Sequence, residues 1–192
     1  IPYRLHENNL FPLLTTPGAD CREEGTTLMG DVSIRAAGPE DAADICTIYN
    51  QGIEDRIATL ETERRTPDER RQWMAARAAR HPVVVAVSAG QVVGWGSLNA
   101  FNPRPAYDNV VDLSVYVERG WRGRGVGRAL LQHLLPLAKS LGYHKMVLAT
   151  FPYNEAGVTL YRKMGFSPVG VYHEQGRLDG CWVDVLIMER LL

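Results

Sequence analysis

The sequence predicts an α/β fold, a mixed sheet with helices on both faces, and three observations carry that prediction. Runs of β-branched or alternating apolar residues recur at Val83–Val87, Val110–Val117 and Lys145–Thr150. Between such runs lie stretches whose apolar residues recur at helical spacing. The resulting order is strand, two helices, three strands, helix, strand, helix and two closing strands, which fits a layered sheet rather than a barrel or a sandwich. At 192 residues, 45% of them apolar, the chain can bury one domain and is short for two.

The elements follow in order. Val32–Arg35 alternates and reads as a first strand. Gly38-Pro39-Glu40-Asp41 starts a helix, with proline and acids where free amides and the helix dipole favour them. Ile45, Ile48, Tyr49 and Ile53 form its apolar face. Arg56–Arg65 reads as a polar loop, and Thr66-Pro67-Asp68-Glu69 caps a second helix that runs to about Arg80 before His81-Pro82 ends it. Val83–Val87, the turn Ala89-Gly90-Gln91 and Val92–Leu98 make an antiparallel hairpin, and Asn99–Asn109 is a long loop. In the strand Val110–Val117, Val111, Leu113, Val115 and Val117 alternate with Asp112, Ser114 and Tyr116. A helix from about Gly125 to Leu141 buries Leu130, Leu131, Leu134, Leu135 and Ala138, with Pro136 as a candidate kink. Lys145–Thr150 is a strand, Glu155–Met164 a helix capped by Asn154 and stopped by Gly165, and Val169–His173 with Trp182–Met188 a closing pair. Residues 1–30 carry neither a period nor a signal-peptide pattern. The domain is therefore expected over residues 31–192, starting near Met29, with 1–30 as an appended leader or tag-like extension.

Composition excludes several classes. The formal net charge is −1 and no long basic run exists, so nothing points to nucleic acid. A membrane helix needs about 20 consecutive apolar residues, and the longest apolar stretches are far shorter. Cys21, Cys46 and Cys181 are scattered and show no metal-ligand spacing, which predicts reduced thiols in a cytoplasmic protein, no disulfide framework and no metal site.

Arg122-Gly123-Arg124-Gly125-Val126-Gly127 lies between a predicted strand and a predicted helix. Glycines there let backbone amides face a ligand without a Cβ in the way, and a helix N-terminus stands behind them. The arrangement suits a pyrophosphate, with Arg122, Arg124 and Arg128 at the rim; the plainer reading is a glycine turn with solvated arginines. The dinucleotide fingerprint and the nucleotide-triphosphate loop are both absent.

This turn resembles the acetyl-CoA motif Gln/Arg-x-x-Gly-x-Gly/Ala of the Gcn5-related N-acetyltransferase superfamily. Asn154, Tyr161, Gly165 and Phe166 stand in the order and spacing of that family's second hallmark. The resemblance spans about Val32–Leu192. It implies the acyl-CoA N-acyltransferase fold, a central twisted mixed sheet with a V-shaped opening beside the strand containing Leu113, Val115 and Val117. It also implies pantetheine on that strand and on Asn154, and pyrophosphate on the amides of Arg122–Gly127. Asn154 also reads as a helix cap. Arg104-Pro105-Ala106-Tyr107-Asp108, Asp112–Val117 and Gly180–Val185 are similar to the phosphinothricin/methionine sulfoximine acetyltransferase branch, which implies a small amino-acid analogue as acceptor and a homodimer.

Acetyl transfer to an amine needs the amine deprotonated and the departing thiolate reprotonated. The branch places a Glu where this chain has Asp112; the shorter acid favours a relayed proton, and the plainer reading is the polar side of an alternating strand. Tyr161 matches the superfamily's general acid, although the herbicide-resistance subset often has His there, and a core aromatic fits as well. His173 on a late strand is a further candidate near the cleft. Arg104 in the loop before the strand could bind an acceptor carboxylate, framed by Tyr107, or be solvated. The reaction expected is direct attack in a ternary complex, with no covalent acetyl-enzyme. The alternatives are a protein or peptide N-acetyltransferase, and a non-catalytic acyl-CoA sensor.

Overall fold

The computed structural model describes residues 32–192, and the expectation for residues 1–30 lies outside them. Seven strands form one mixed sheet in the order β1-β2-β3-β4-β5-β7-β6. They are β1 (Ser33–Ala36), β2 (Val83–Ser88), β3 (Gln91–Ala100), β4 (Val110–Val117), β5 (Lys145–Thr150), β6 (Ser167–Leu178) and β7 (Cys181–Leu191). All neighbours are antiparallel except β4 and β5. The β2–β3 turn has Ala89 and Gly90 at φ 48° and 79°, the left-handed pair that matches the twist of a hairpin.

Helices cover both faces. On one lies α3 (Val126–Ser140), whose Leu130, Leu131 and Leu134 are fully buried against β2–β4. Each such side chain contributes roughly 1.5–3 kcal/mol through lost water contact. The helix runs through Pro136. α4 (Glu155–Lys163) adds Val158 to the same core. On the other face lie α1 (Ala42–Glu54), preceded by a 3-10 turn at Pro39–Asp41, and α2 (Pro67–Ala75). Ile45, Ile48, Tyr49 and Ile53 of α1 pack there on Val83, Val85 and Trp95.

β4 pairs with β5 only through Val110, Val111 and Asp112 opposite Lys145, Met146 and Val147. Beyond that point β4 stays with β3, and β5 stays with β7. The sheet thus forks just after Asp112, leaving Leu113–Val117 unpaired on the β5 side.

Several details differ from the sequence reading. α2 ends at Ala75 instead of about Arg80, because the chain turns at Arg77, whose guanidinium donates to His81 O at 2.7 Å and also to Leu98 O. β6 continues past His173 to Leu178, with breaks in register around Pro168–Gly170 and Tyr172–Gly176. The loop after β3 contains a 3-10 turn at Pro105–Tyr107.

Candidate active site

The fork opens into a cavity of about 330 Å³ lined by Val115, Tyr116 and Val117 of β4, the glycine turn, and Asn154, Leu160 and Tyr161 from the opposite wall. An unpaired strand edge offers alternating N–H and C=O groups to an extended ligand. At its end the chain enters the glycine turn. Gly123 and Gly125 have φ 76° and 85°, where a Cβ would be strained, and Gly125 caps α3. The first bond into the helix ladder is Ala129 N–H to Gly125 O at 3.0 Å, so the amides before it have no ladder partner. A Cβ on Gly127 would lie 2.9 Å from Leu160 Cδ2, so this glycine also lets α4 approach α3.

The three arginines of the turn divide. Arg122 is tied down: it donates to Val117 O at 3.3 Å and pairs with Asp55 at the end of α1. Arg119 reaches the same carboxylate at 2.6 Å, and both contacts hold Asp55 below the usual carboxylate range. Arg124 lies over the Trp121 ring at 5.4 Å and Arg128 lines the cavity; neither has an acid partner among the described residues.

Asn154 caps α4, its Oδ1 accepting from Gly157 N at 3.1 Å, while its Nδ2 donates to Ile57 O at 3.3 Å. Its side chain therefore ties the far wall to the loop after α1 and borders the cavity. Tyr161 sits on the same wall, edge-on to Phe166 at 5.9 Å between centroids. Burial, with a smaller contribution from Asp112, pushes its phenol up to about 12, so it stays protonated at physiological pH.

Asp112 stands at the apex of the fork, on the α1/α2 face with Ser114 and Tyr116. Burial pushes its carboxyl up to about 6, opposed by a hydrogen bond from Asn99 Nδ2 at 3.2 Å. Asn99 also donates to Ser114 Oγ at 3.1 Å and accepts from Ser97 Oγ at 3.0 Å and Arg77 at 2.9 Å. The β3–β4 register, which sets Asn99 opposite Asp112 and Ser97 opposite Ser114, creates this network. A second cavity, also of about 330 Å³, lies on this face between the network and α2, and Tyr116 borders both cavities.

Other expected residues lie elsewhere. Arg104 is exposed, its backbone N–H donating to Asn102 Oδ1 at 3.0 Å, and Tyr107 packs on Phe101 at 5.5 Å; neither lines the two cavities. His173 is exposed on β6, with Nδ1 3.0 Å from Asp184. Sequence reasoning missed Asn99, Ser97 and Arg70. A signal for the first two existed: the polar alternation of β3 matches that of β4 once their register is known. Arg70 shares a helical face with Trp73, Met74 and Arg77, but it stands in a charged stretch that reads as solvated.

A forked sheet with an open backbone edge, an amide-lined turn at one end and a half-buried carboxylate at the other defines a site for an extended ligand with an anionic end, beside a separate cavity for a second reactant. Residues 44–166 match the Acetyltransferase (GNAT) family, and the chain belongs to it. It is 35% identical to an L-methionine sulfoximine/L-methionine sulfone acetyltransferase of Pseudomonas paraeruginosa, over 82% of this chain and 92% of that one. It is 31% identical to a phosphinothricin N-acetyltransferase of Streptomyces coelicolor, over 84% of this chain and 97% of that one. The structure of a phosphinothricin acetyltransferase from Sinorhizobium meliloti, in complex with acetyl-CoA, is similar with a TM-score of 0.80 and 29% identity, over 84% and 88% of the two chains.

Proposed function

We propose that this enzyme transfers acetyl from acetyl-CoA to the amine of a small α-amino acid or analogue, of the methionine sulfoximine and phosphinothricin type. The observation that carries this reading is a half-buried carboxylate at the fork, hydrogen-bonded to Asn99, which lines the polar cavity, and followed on the same strand by Val115–Val117, which line the apolar cleft. Acetyl-CoA fits the first cleft by its chemistry: an unpaired strand edge suits the amides of pantetheine, and free helix amides with Arg124 and Arg128 suit phosphates. When bound, acetyl-CoA supplies an acyl group activated as a thioester.

The chain's own residues then divide the work. Leu113, Val115 and Val117 offer backbone groups along the arm, and Asn154 borders it. The amides of Gly123, Gly125, Val126 and Gly127 receive the anionic end, while Arg122, held by Asp55, fixes the turn. Asp112 accepts the acceptor's ammonium proton. Its carboxyl, displaced to about 6, is mostly ionised at neutral pH yet a better base than an ordinary aspartate. Asn99 orients it. Tyr161, protonated at this pH, donates a proton to the leaving sulfur. Arg104 and Tyr107, in the loop after β3 with no bond to either cavity's lining, receive no role in this scheme.

The same reading includes a homodimer and action in the cytoplasm, where acetyl-CoA is made and used. Support for the dimer comes from the apolar exposure of the terminal hairpin, where Val169, Tyr172 and Trp182 are each more than half exposed. The activity is tested by free-thiol release from acetyl-CoA across amino-acid analogues, polyamines and peptides. Saturable turnover of methionine sulfoximine is expected. Turnover of peptides alone, or coenzyme binding without any turnover, would overturn the proposal.

A further inference from the structure

The second cavity holds a guanidinium that makes no ion pair with its walls. Arg70 of α2 is only 7% exposed. Its position follows from the start of its helix, where Thr66 and Glu69 cap each other: Glu69 N donates to Thr66 Oγ1 at 3.2 Å, and Thr66 N to Glu69 Oε2 at 2.7 Å. The next residue turns inward with Trp73. Its guanidinium carbon lies 4.2, 4.7 and 5.6 Å from the ring centroids of Tyr49, Trp73 and Trp95. Yet Arg70 Nε has no hydrogen-bond partner, and no carboxylate pairs with this side chain among the described residues.

Two acids do line the cavity, but both are engaged. Glu61 binds Arg65 at 2.7 Å; Glu69 lies 3.8 Å from Arg65 and accepts from Thr66. Stacking on three rings offsets part of the lost hydration but satisfies no N–H. A buried cation in this condition is set up for a planar anion, and a guanidinium binds carboxylates in a fixed fork geometry. The other walls are Ser97, Asn99 and Ser114, and Asn99 holds Asp112.

We propose that Arg70 is the residue that binds the acceptor's carboxylate, inside the aromatic cage, leaving the amine on the Asn99–Ser114 wall beside Asp112. This rests on the reading of the acceptor as a small α-amino acid and adds the residue that selects it. A free carboxylate becomes a requirement for tight acceptor binding, which separates amino acids from amines that lack one.

The test crosses a residue change with a substrate change, using methionine sulfoximine and its carboxamide as probes. In Arg70→Met, kcat/KM for the acid should fall about 10- to 100-fold, chiefly through KM, while the carboxamide changes little. Comparing variants cancels the carboxamide's different amine basicity. An equal fall for both probes would overturn the proposal, because a merely structural arginine does not distinguish them. Should the variant fail to fold, the wild-type enzyme decides. Trp73 and Trp95 border Arg70, so tryptophan fluorescence titrated with each probe should saturate at about 10-fold lower concentration for the acid; equal half-saturation overturns the assignment. Absence of turnover with either probe would reject the proposed function, whereas the fluorescence titration would still accept or reject the Arg70 site.

Discussion

Asp112 shows what it costs the fold to hold a carboxylate at the fork. It pairs with no cation among the described residues, and Asn99 is its one side-chain partner. The displacement from 3.8 to about 6 corresponds to about 3 kcal/mol between the protonated and ionised forms. The sign follows from proton uptake: between these values the folded state holds a proton that the unfolded chain has released. This penalty is absent below 3.8, grows as pH rises towards about 6, and is full above it. Asp112→Asn should therefore melt at a higher temperature than wild type at pH 7.5, with a gain on the order of 1–3 kcal/mol, while acetyl transfer is lost. Thermal unfolding at pH 7.5 and pH 4 checks this, and the gain should shrink at the lower pH. Asp112 was a candidate only through the family resemblance, which places a Glu at its position; the strand pattern alone reads it as the polar side of an alternating strand. Asn99, which orients it, was not, since its partnership depends on a strand register that spacing alone does not reveal.

At the level of elements, α3 lies directly on β3, and the strand makes room for it with two glycines. A Cβ on Gly96 would stand 2.7 Å from Leu134 Cδ1 and 3.1 Å from Ser114 O; one on Gly94 would stand 2.9 Å from Val126 Cγ1. Gly96→Ala should push the helix outward and cost about 1–3 kcal/mol, read as a lower denaturation midpoint. Since α3 carries the amide turn at its N-terminus, the KM for acetyl-CoA should rise in the same variant. Most elements were legible because their patterns are strong: β4 and β5 alternate or run apolar over their full lengths, and the leucines of α3 keep one face. The weaker cases have physical causes. Glu174-Gln175-Gly176-Arg177 shows no alternation because β6 is an exposed edge strand with irregular pairing. The second helix stops early because Arg77 ties the chain back to β3 instead of extending a helical face. The glycine turn was legible through its left-handed glycines, whereas Arg70 was hidden by charged neighbours that do face water.

On the scale of the whole molecule, the fork is where the sheet gives up hydrogen bonds between two central strands, and the site occupies that gap. No local motif encodes the parting of β4 from β5; it was expected only from the family resemblance. The terminal hairpin offers a second large-scale feature, an edge with exposed Val169, Val171, Tyr172 and Trp182. Apolar patches of this kind commonly mark interfaces, so light scattering of the eluted protein should give twice the chain mass, and Trp182→Ser with Tyr172→Ser should shift it towards the monomer. The most direct test of the central claim, that Asp112 at the fork is the base for acetyl transfer, is the pH dependence of thiol release with saturating acetyl-CoA and methionine sulfoximine. The rate should climb through an ionisation near pH 6 in the wild type, and Asp112→Asn should retain no more than about 1% of the plateau, without that limb. An Asp112→Asn enzyme that keeps both the plateau and the limb would contradict the account.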